Sequence, residues 1–201
     1  MAQEHSPSEA VTYLSHFRVA LVSEEFPPFE FGGVATVCYD LAMSLSKKGT
    51  SVMVISGKSK KMATEKLNNS LEVIRLPCLN LPPRFIWFQL QNLRSFTRLL
   101  EQCEIVHAVN PQVSAICAYS SAKLHKPMVT SIHDVPLCEL KMFASSPFSH
   151  WSLGDFVYNA LEYPLNYTLA KIGLTYSNHI ISCSLNLLSE MKKAYGDFGP
   201  N

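Results

Sequence analysis

Short apolar runs alternate with longer amphipathic stretches along this chain of 201 residues. Val19 to Val22 is a continuous apolar run of strand length, and so is Val52 to Ile55. Between them Val34, Val37, Cys38, Leu41 and Leu45 recur at helical spacing. The pattern predicts a helix that opens near Val34, carries Lys47 and Lys48 in its last turn and stops at Gly49. Leu71 to Leu76 reads as a third strand, and Gly57 to Ser70 before it as a basic polar loop. Arg84 to Glu101 reads as a helix rich in aromatic residues. Glu104 to Val109 is the next strand, Gln112 to His125 a helix with small residues, and Met128 to Ile132 a further strand. Trp151 to Leu174 has helical spacing, with Pro164 expected to kink or split it. His179 to Cys183 is the last strand, Ser184 a helix cap, and Leu185 to Tyr195 the last helix, closed by Gly196.

Strands alternating with helices predict an α/β fold, a Rossmann-like open parallel sheet with helices on both faces. Residues 1–16 are polar and expected to form a flexible tail, leaving 17–201 as one domain. A hydrophobic content of 47% with 16% charged residues describes a globular chain. The net charge of +1 gives no electrostatic footprint for nucleic acid. No apolar run approaches membrane-spanning length, and no secretory signal opens the chain. The six cysteines include no CxxC pair, and they read as free thiols in a reducing, cytoplasmic setting. No metal site is expected from them.

Ligands of open α/β sheets gather beyond the carboxyl ends of the strands. Candidate groups fall there: Gly32 and Gly33 after the first strand, Asn110 after Glu104–Val109, and His133 with Asp134 after Met128–Ile132. A glycine pair at a helix start lets backbone approach a phosphate, which the free N–H groups favour. A tight turn needing positive φ explains the same pair equally well. The dinucleotide fingerprint GxGxxG is absent, so a nicotinamide dinucleotide is not the expected ligand. No GxSxG elbow is present for acyl chemistry.

Several segments together resemble family 4 glycosyltransferases of the GT-B fold. Leu41 to Val54, LAMSLSKKGTSVMV, is similar to that family's "LAxxLxxxGHxVxV", with Thr50 in place of its histidine. EIVHAVNP resembles "DxVHxHxP", KPMVTSIHD resembles "KPVVxTxHD", and HIISCSLNLLSEMKKAYG follows the family's last strand and helix. The order of these segments makes the resemblance specific, and it covers most of the chain. It implies the N-terminal, acceptor-side domain of a retaining transferase that uses a nucleotide-sugar donor and no metal or other cofactor. It also implies a C-terminal donor-binding domain beyond Asn201, without which these residues are expected not to turn over. His133 would sit near the transferred sugar, with Asp134 accepting from hydroxyls or fixing the imidazole tautomer. A loop-start histidine with Asp134 as a helix cap is the plainer alternative. Gly32, Gly33 and Asn110 would face donor phosphate or acceptor.

Departures from the pattern limit these roles. Val109 stands where the family often has a second histidine, so His107 is expected to be a buried, hydrogen-bonded residue. Glu30 stands where starch and glycogen synthases carry a lysine, which argues against a polyglucan synthase. No DxD motif exists. The helix Arg84 to Glu101 could pack fully on the sheet. Alternatively it could show an aromatic patch beside Arg84, Arg94 and Arg98 to a membrane surface or a lipid-linked acceptor. The rival functional readings are a sugar-nucleotide 2-epimerase of the same fold and a non-catalytic binding module.

Overall fold

The computed structural model describes residues 17–29, 32–59, 61–81, 83–134, 145 and 152–198. Glu30, Cys138, the tail 1–16 and the segment 135–144 lie outside the described residues. The strands are β1 (Arg18–Val22), β2 (Ser51–Ser59), β3 (Ala63–Asn68), β4 (Leu71–Pro77), β5 (Ile105–Ala108), β6 (Met128–Ile132) and β7 (His179–Ser182). They form a seven-stranded sheet in the order β3-β4-β2-β1-β5-β6-β7. All neighbours run parallel except β3 and β4. The helices are α1 (Gly33–Lys47), α2 (Arg84–Leu100), α3 (Ser114–Leu124), α4 (Leu153–Val157), α5 (Tyr163–Tyr176) and α6 (Leu185–Tyr195).

Successive strand residues point to opposite faces, and this divides the core in two. Ala20, Val22, Met53, Ile55, Ile74 and Leu76 meet Phe88, Phe96 and Leu100 of α2 and Ile116 of α3. Val19, Leu21, Val52, Val54, Leu71 and Val73 meet Cys38 and Ala42 of α1 on the other face. A third cluster joins Ile132 to Ala170, Leu174, Met191 and Tyr195 of α5 and α6. The doubly wound arrangement expected from the alternation is therefore present.

Some elements differ from the sequence reading. Gly57 to Ser70 is not a loop. β2 runs on to Ser59, and β3 returns antiparallel to β4 with Glu65 opposite Val73. Every residue of β3 is exposed, so no apolar alternation marks this edge strand. Its turn is built from polar side chains: Asn68 Oδ1 accepts from Ser70 N–H at 2.9 Å and from Ser46 Oγ at 3.0 Å. α1 buries Ala35, Cys38, Ala42 and Ser46, whereas Val37 is exposed. Its small residues approach the sheet, and the larger apolar ones flank the contact. The expected helix at Gln112 is a 3₁₀ turn, Pro111–Val113, followed by α3.

Pro164 is the second residue of α5, and a π turn over Tyr158–Glu162 precedes it. That wider turn contains residue 160, whose carbonyl a proline ring would crowd in a regular helix. The aromatic helix α2 follows the packed reading, with Phe85, Phe88 and Phe96 buried. Leu93, expected in its core stripe, is exposed. Its place is taken by polar groups with partners: Asn92 Nδ2 donates to Pro77 O at 2.7 Å and to Phe88 O at 2.8 Å. Lys126 closes the far end of α2, its Nζ donating to the carbonyls of Leu100 at 2.8 Å, Glu101 at 2.7 Å and Cys103. No helix among the described residues is long and apolar enough to cross a membrane.

Candidate functional site

The predicted site residues gather along one edge of the sheet. β1, β5 and β6 are adjacent and parallel, so their carboxyl ends lie side by side. Neighbouring strands are about 4.8 Å apart, which puts the chain ends of β1 and β6 roughly 10 Å apart. Gly32 and Gly33 follow β1, Asn110 follows β5, and His133 with Asp134 follow β6.

The glycine pair is decided by its conformation. Gly32 is extended at φ −175° and ψ −174°, and Gly33 is the first residue of α1. Neither has positive φ, and a Cβ built on either would meet nothing within 4 Å. The tight-turn explanation therefore fails, because any residue adopts these conformations. The N-cap residue, Gly32, has no side chain to cap α1, and no acidic residue lies in its first turn. The leading N–H groups of this helix have no intrahelical acceptor, and they carry the positive end of its dipole.

Asn110 has a structural task. Its Oδ1 accepts from Val113 N–H at 3.3 Å, and its Nδ2 donates to Gln112 Oε1 at 3.3 Å. It is the cap of the 3₁₀ turn that leads into α3.

His107 is buried, as expected, with Nε2 2.7 Å from Ser131 Oγ. It lies between Ile105 and Val109 on the face that α1 covers. Its register partner on β6 is Val129, so Ser131 and then His133 continue along the same file. Burial, and then the charge of nearby His133, lower the pKa of His107 to about 4. His107 is therefore neutral near pH 7. His133 is half-buried, and its Nε2 is enclosed without a hydrogen-bond partner among the described residues. Asp134 beside it is also half-buried. An enclosed polar atom without a partner costs about 1–3 kcal/mol, which a ligand hydroxyl would offset.

The loop between β1 and α1 is tied down from below. Glu24 O accepts from Gly57 N–H at 3.0 Å and from Ser56 Oγ at 3.3 Å. A Cβ on Gly57 would come within 3.1 Å of that carbonyl, a tight contact that glycine avoids. Arg75 of β4 donates to the carbonyls of Phe26 and Pro27. Neither Arg75 nor Ser131 was among the residues expected at the site. Arg75 had a visible signal, since it is a positive charge inside the apolar run of a central strand. Ser131 had none, because a serine in a strand is unremarkable until its partner is known.

The described cysteines Cys38, Cys78, Cys103, Cys117 and Cys183 are all free. Burial pushes the Cys38 thiol up to about 12 and Cys103 up to about 11. Among the described residues no three His, Cys, Asp or Glu side chains group to hold a metal ion.

Comparison with solved structures supports the fold. The chain is similar to sucrose-phosphate synthase from Thermosynechococcus elongatus, with a TM-score of 0.62 and 12% identity over 92% of this chain and 46% of that one. A shorter chain of that synthase gives 0.60 and 11% identity, covering 90% of this chain and 84% of that one. HepE of Anabaena, solved in complex with UDP and glucose, gives 0.54 and 14% identity, covering 90% of this chain and 42% of that one. The chain thus spans under half the length of the longer relatives. No curated protein sequence matches it. Residues 31–200 match Glycosyltransferase Family 4, and the chain belongs to that family.

Proposed function

We propose that this chain is the acceptor-side domain of a glycosyltransferase that moves a sugar from a nucleotide-sugar donor to an acceptor with retention of configuration. The observation that carries the proposal is the glycine pair: it stands in open space, in a backbone any residue could adopt, at an uncapped helix start. The fold has no use for glycine there, whereas a diphosphate approaching the N–H groups of Gly33, Val34 and Ala35 does. Those groups, with about half an elementary charge from the helix, would stabilise the charge that builds on the leaving diphosphate. The complex of HepE with UDP-glucose supports the donor class.

His133 would donate from its unpartnered nitrogen to a sugar hydroxyl, and Asp134 would accept from another. Asn110 would shape the floor between them through its cap. On this reading the residues that grip the nucleotide lie in sequence beyond these 201, and closure of the two halves excludes water from the donor. The 201-residue chain alone would then not turn over.

The test is an assay of the full-length gene product against a panel of nucleotide sugars, with the product anomer read by NMR. Acceptor-dependent transfer with retention is expected, and His133→Ala should lower turnover by about 100-fold or more. Conversion of the donor without an acceptor would indicate an epimerase instead. Unchanged turnover in His133→Ala would remove His133 from the site.

A further inference from the structure

Arg75 is 7% exposed, in a strand whose neighbours Val73, Ile74 and Leu76 belong to the core. A guanidinium in such a place persists only if its donors are used. Its carboxylate partner among the described residues does little for it: Glu65 Oε2 is 3.4 Å away on a side chain that is 53% exposed. The stronger contacts go elsewhere. Nη1–H donates to Phe26 O at 3.2 Å, and Nη2–H donates to Pro27 O. The guanidinium carbon lies 5.8 Å from the centre of the Phe26 ring and 5.3 Å from that of Phe29, within cation–π range.

These partners sit in the loop that leaves β1, and β2 stands between β4 and β1. Arg75 reaches across β2 at its register partner Ser56, next to Gly57, where both residues are small. Ser56 and Gly57 hold the root of the same loop through Glu24 O. The turn is closed by Phe29 N–H donating to Phe26 O at 3.1 Å, and Gly32 follows three residues later.

We propose that Arg75 is a positioning residue for the anion-binding start of α1. Its fork holds two successive carbonyls and its charge lies within cation–π range of two rings, so the loop leaves the sheet in one direction. Gly32 and Gly33 then present their N–H groups at a fixed place. Lysine replaces it poorly, because an ammonium gathers its donors at one point, whereas the planar guanidinium meets Phe26 O and Pro27 O from two separate nitrogens. The inference rests on the role given to the glycine pair under the proposed function.

The test uses the 201-residue chain with Arg75→Met and Arg75→Lys, followed by amide NMR and hydrogen exchange. Methionine keeps an apolar stem, and replacing a buried charge this way is often neutral for stability. The expected result is an unchanged urea midpoint for Arg75→Met, exchange at the hydrogen-bonded Phe29 amide faster by about tenfold, and displaced amide signals at Gly32 and Gly33. The Gly173 and Gly196 amides should not move. Pyrophosphate titrated into the wild type should shift Gly33, and Arg75→Met should weaken that response about tenfold, with Arg75→Lys close to it. Unaltered Gly32 and Gly33 amides in Arg75→Met would overturn the proposal. If that variant does not fold, Phe29→Ala, at an exposed ring, should displace the Gly32 and Gly33 amide signals in the same direction by a smaller amount. Unmoved amides there would overturn it equally. A wild type that shows no response to pyrophosphate at Gly33 would remove the anion site itself, and the exchange data would still decide whether Arg75 holds the loop.

Discussion

Two helix starts lie side by side at the carboxyl edge of this sheet, and they are finished differently. After β5, Asn110 Oδ1 accepts from Val113 N–H and caps the 3₁₀ turn, and Gln89 Oε1 accepts from Ile116 N–H at 3.1 Å, so the entry to α3 is closed by the protein's own side chains. After β1, α1 begins at an N-cap glycine that offers no side-chain cap, on glycines that no described residue crowds. The same contrast separates the glycines. Gly173 of α5 packs so tightly on Ser114 that a Cβ would fall 1.7 Å from its Oγ. Gly173 serves the interior, whereas no described neighbour requires glycine at position 33. A helix start that a fold leaves unfinished is a better guide to a ligand than one it caps.

Substitutions can break this contrast. The largest effect belongs to Gly173→Ala, which forces Ser114 and the α3–α5 contact apart. A loss of about 3 kcal/mol or more is expected in urea unfolding. A near-neutral result would mean that the two glycines do not differ as described.

His107 tests whether the file beneath the open edge is polar and dry. Its pKa is lowered to about 4 in the fold against an ordinary value near 6.5. Protonation therefore favours the unfolded chain, so stability is full above about pH 6.5 and is lost as pH falls towards 4. The loss from this residue should approach about 3 kcal/mol at the acid end. Urea midpoints at pH 7 and pH 4.5 should converge in His107→Gln, and an undiminished pH slope in that variant would contradict the assignment.

The smallest effects sharpen the comparison most, because they have opposite signs. Asn110→Ala should cost about 1 kcal/mol by removing the cap. Gly33→Ala should gain up to about 1 kcal/mol, since alanine suits a helix and no clash opposes it. Thermal melts of both variants check this pair. A destabilised Gly33→Ala would show that the fold does need that glycine.

Much of the architecture was legible because its strands are buried on both faces and therefore apolar throughout. β1, β4, β6 and the helices between them follow directly from periodicity. β3 was not legible, because an edge strand exposed on every residue carries no such pattern. The buried face of α1 was misread for a related reason: Ala35, Ala42 and Ser46 pack closely because they are small, and a search for large apolar residues passes over them. At the site, the strand ends named Gly32, Gly33, Asn110, His133 and Asp134, and the structure sets them along one edge. Which of the two meanings the glycine pair carried was not legible, since φ and open space belong to the fold. Arg75 was visible as a misplaced charge, but its targets come from a loop that lies 46 residues or more earlier in the chain, beyond any local pattern.

The most direct measurement is the turnover of the full-length protein carrying Gly33→Val, set beside its melting temperature. A Cβ there meets nothing within 4 Å, so the melting temperature should stay near that of the wild type. The added side chain would stand where the diphosphate must approach, and turnover of nucleotide sugar should fall by about 100-fold, the scale of losing a preorganised donor. Full turnover in a well-folded Gly33→Val protein would contradict the central claim that the open start of α1 is kept for the donor.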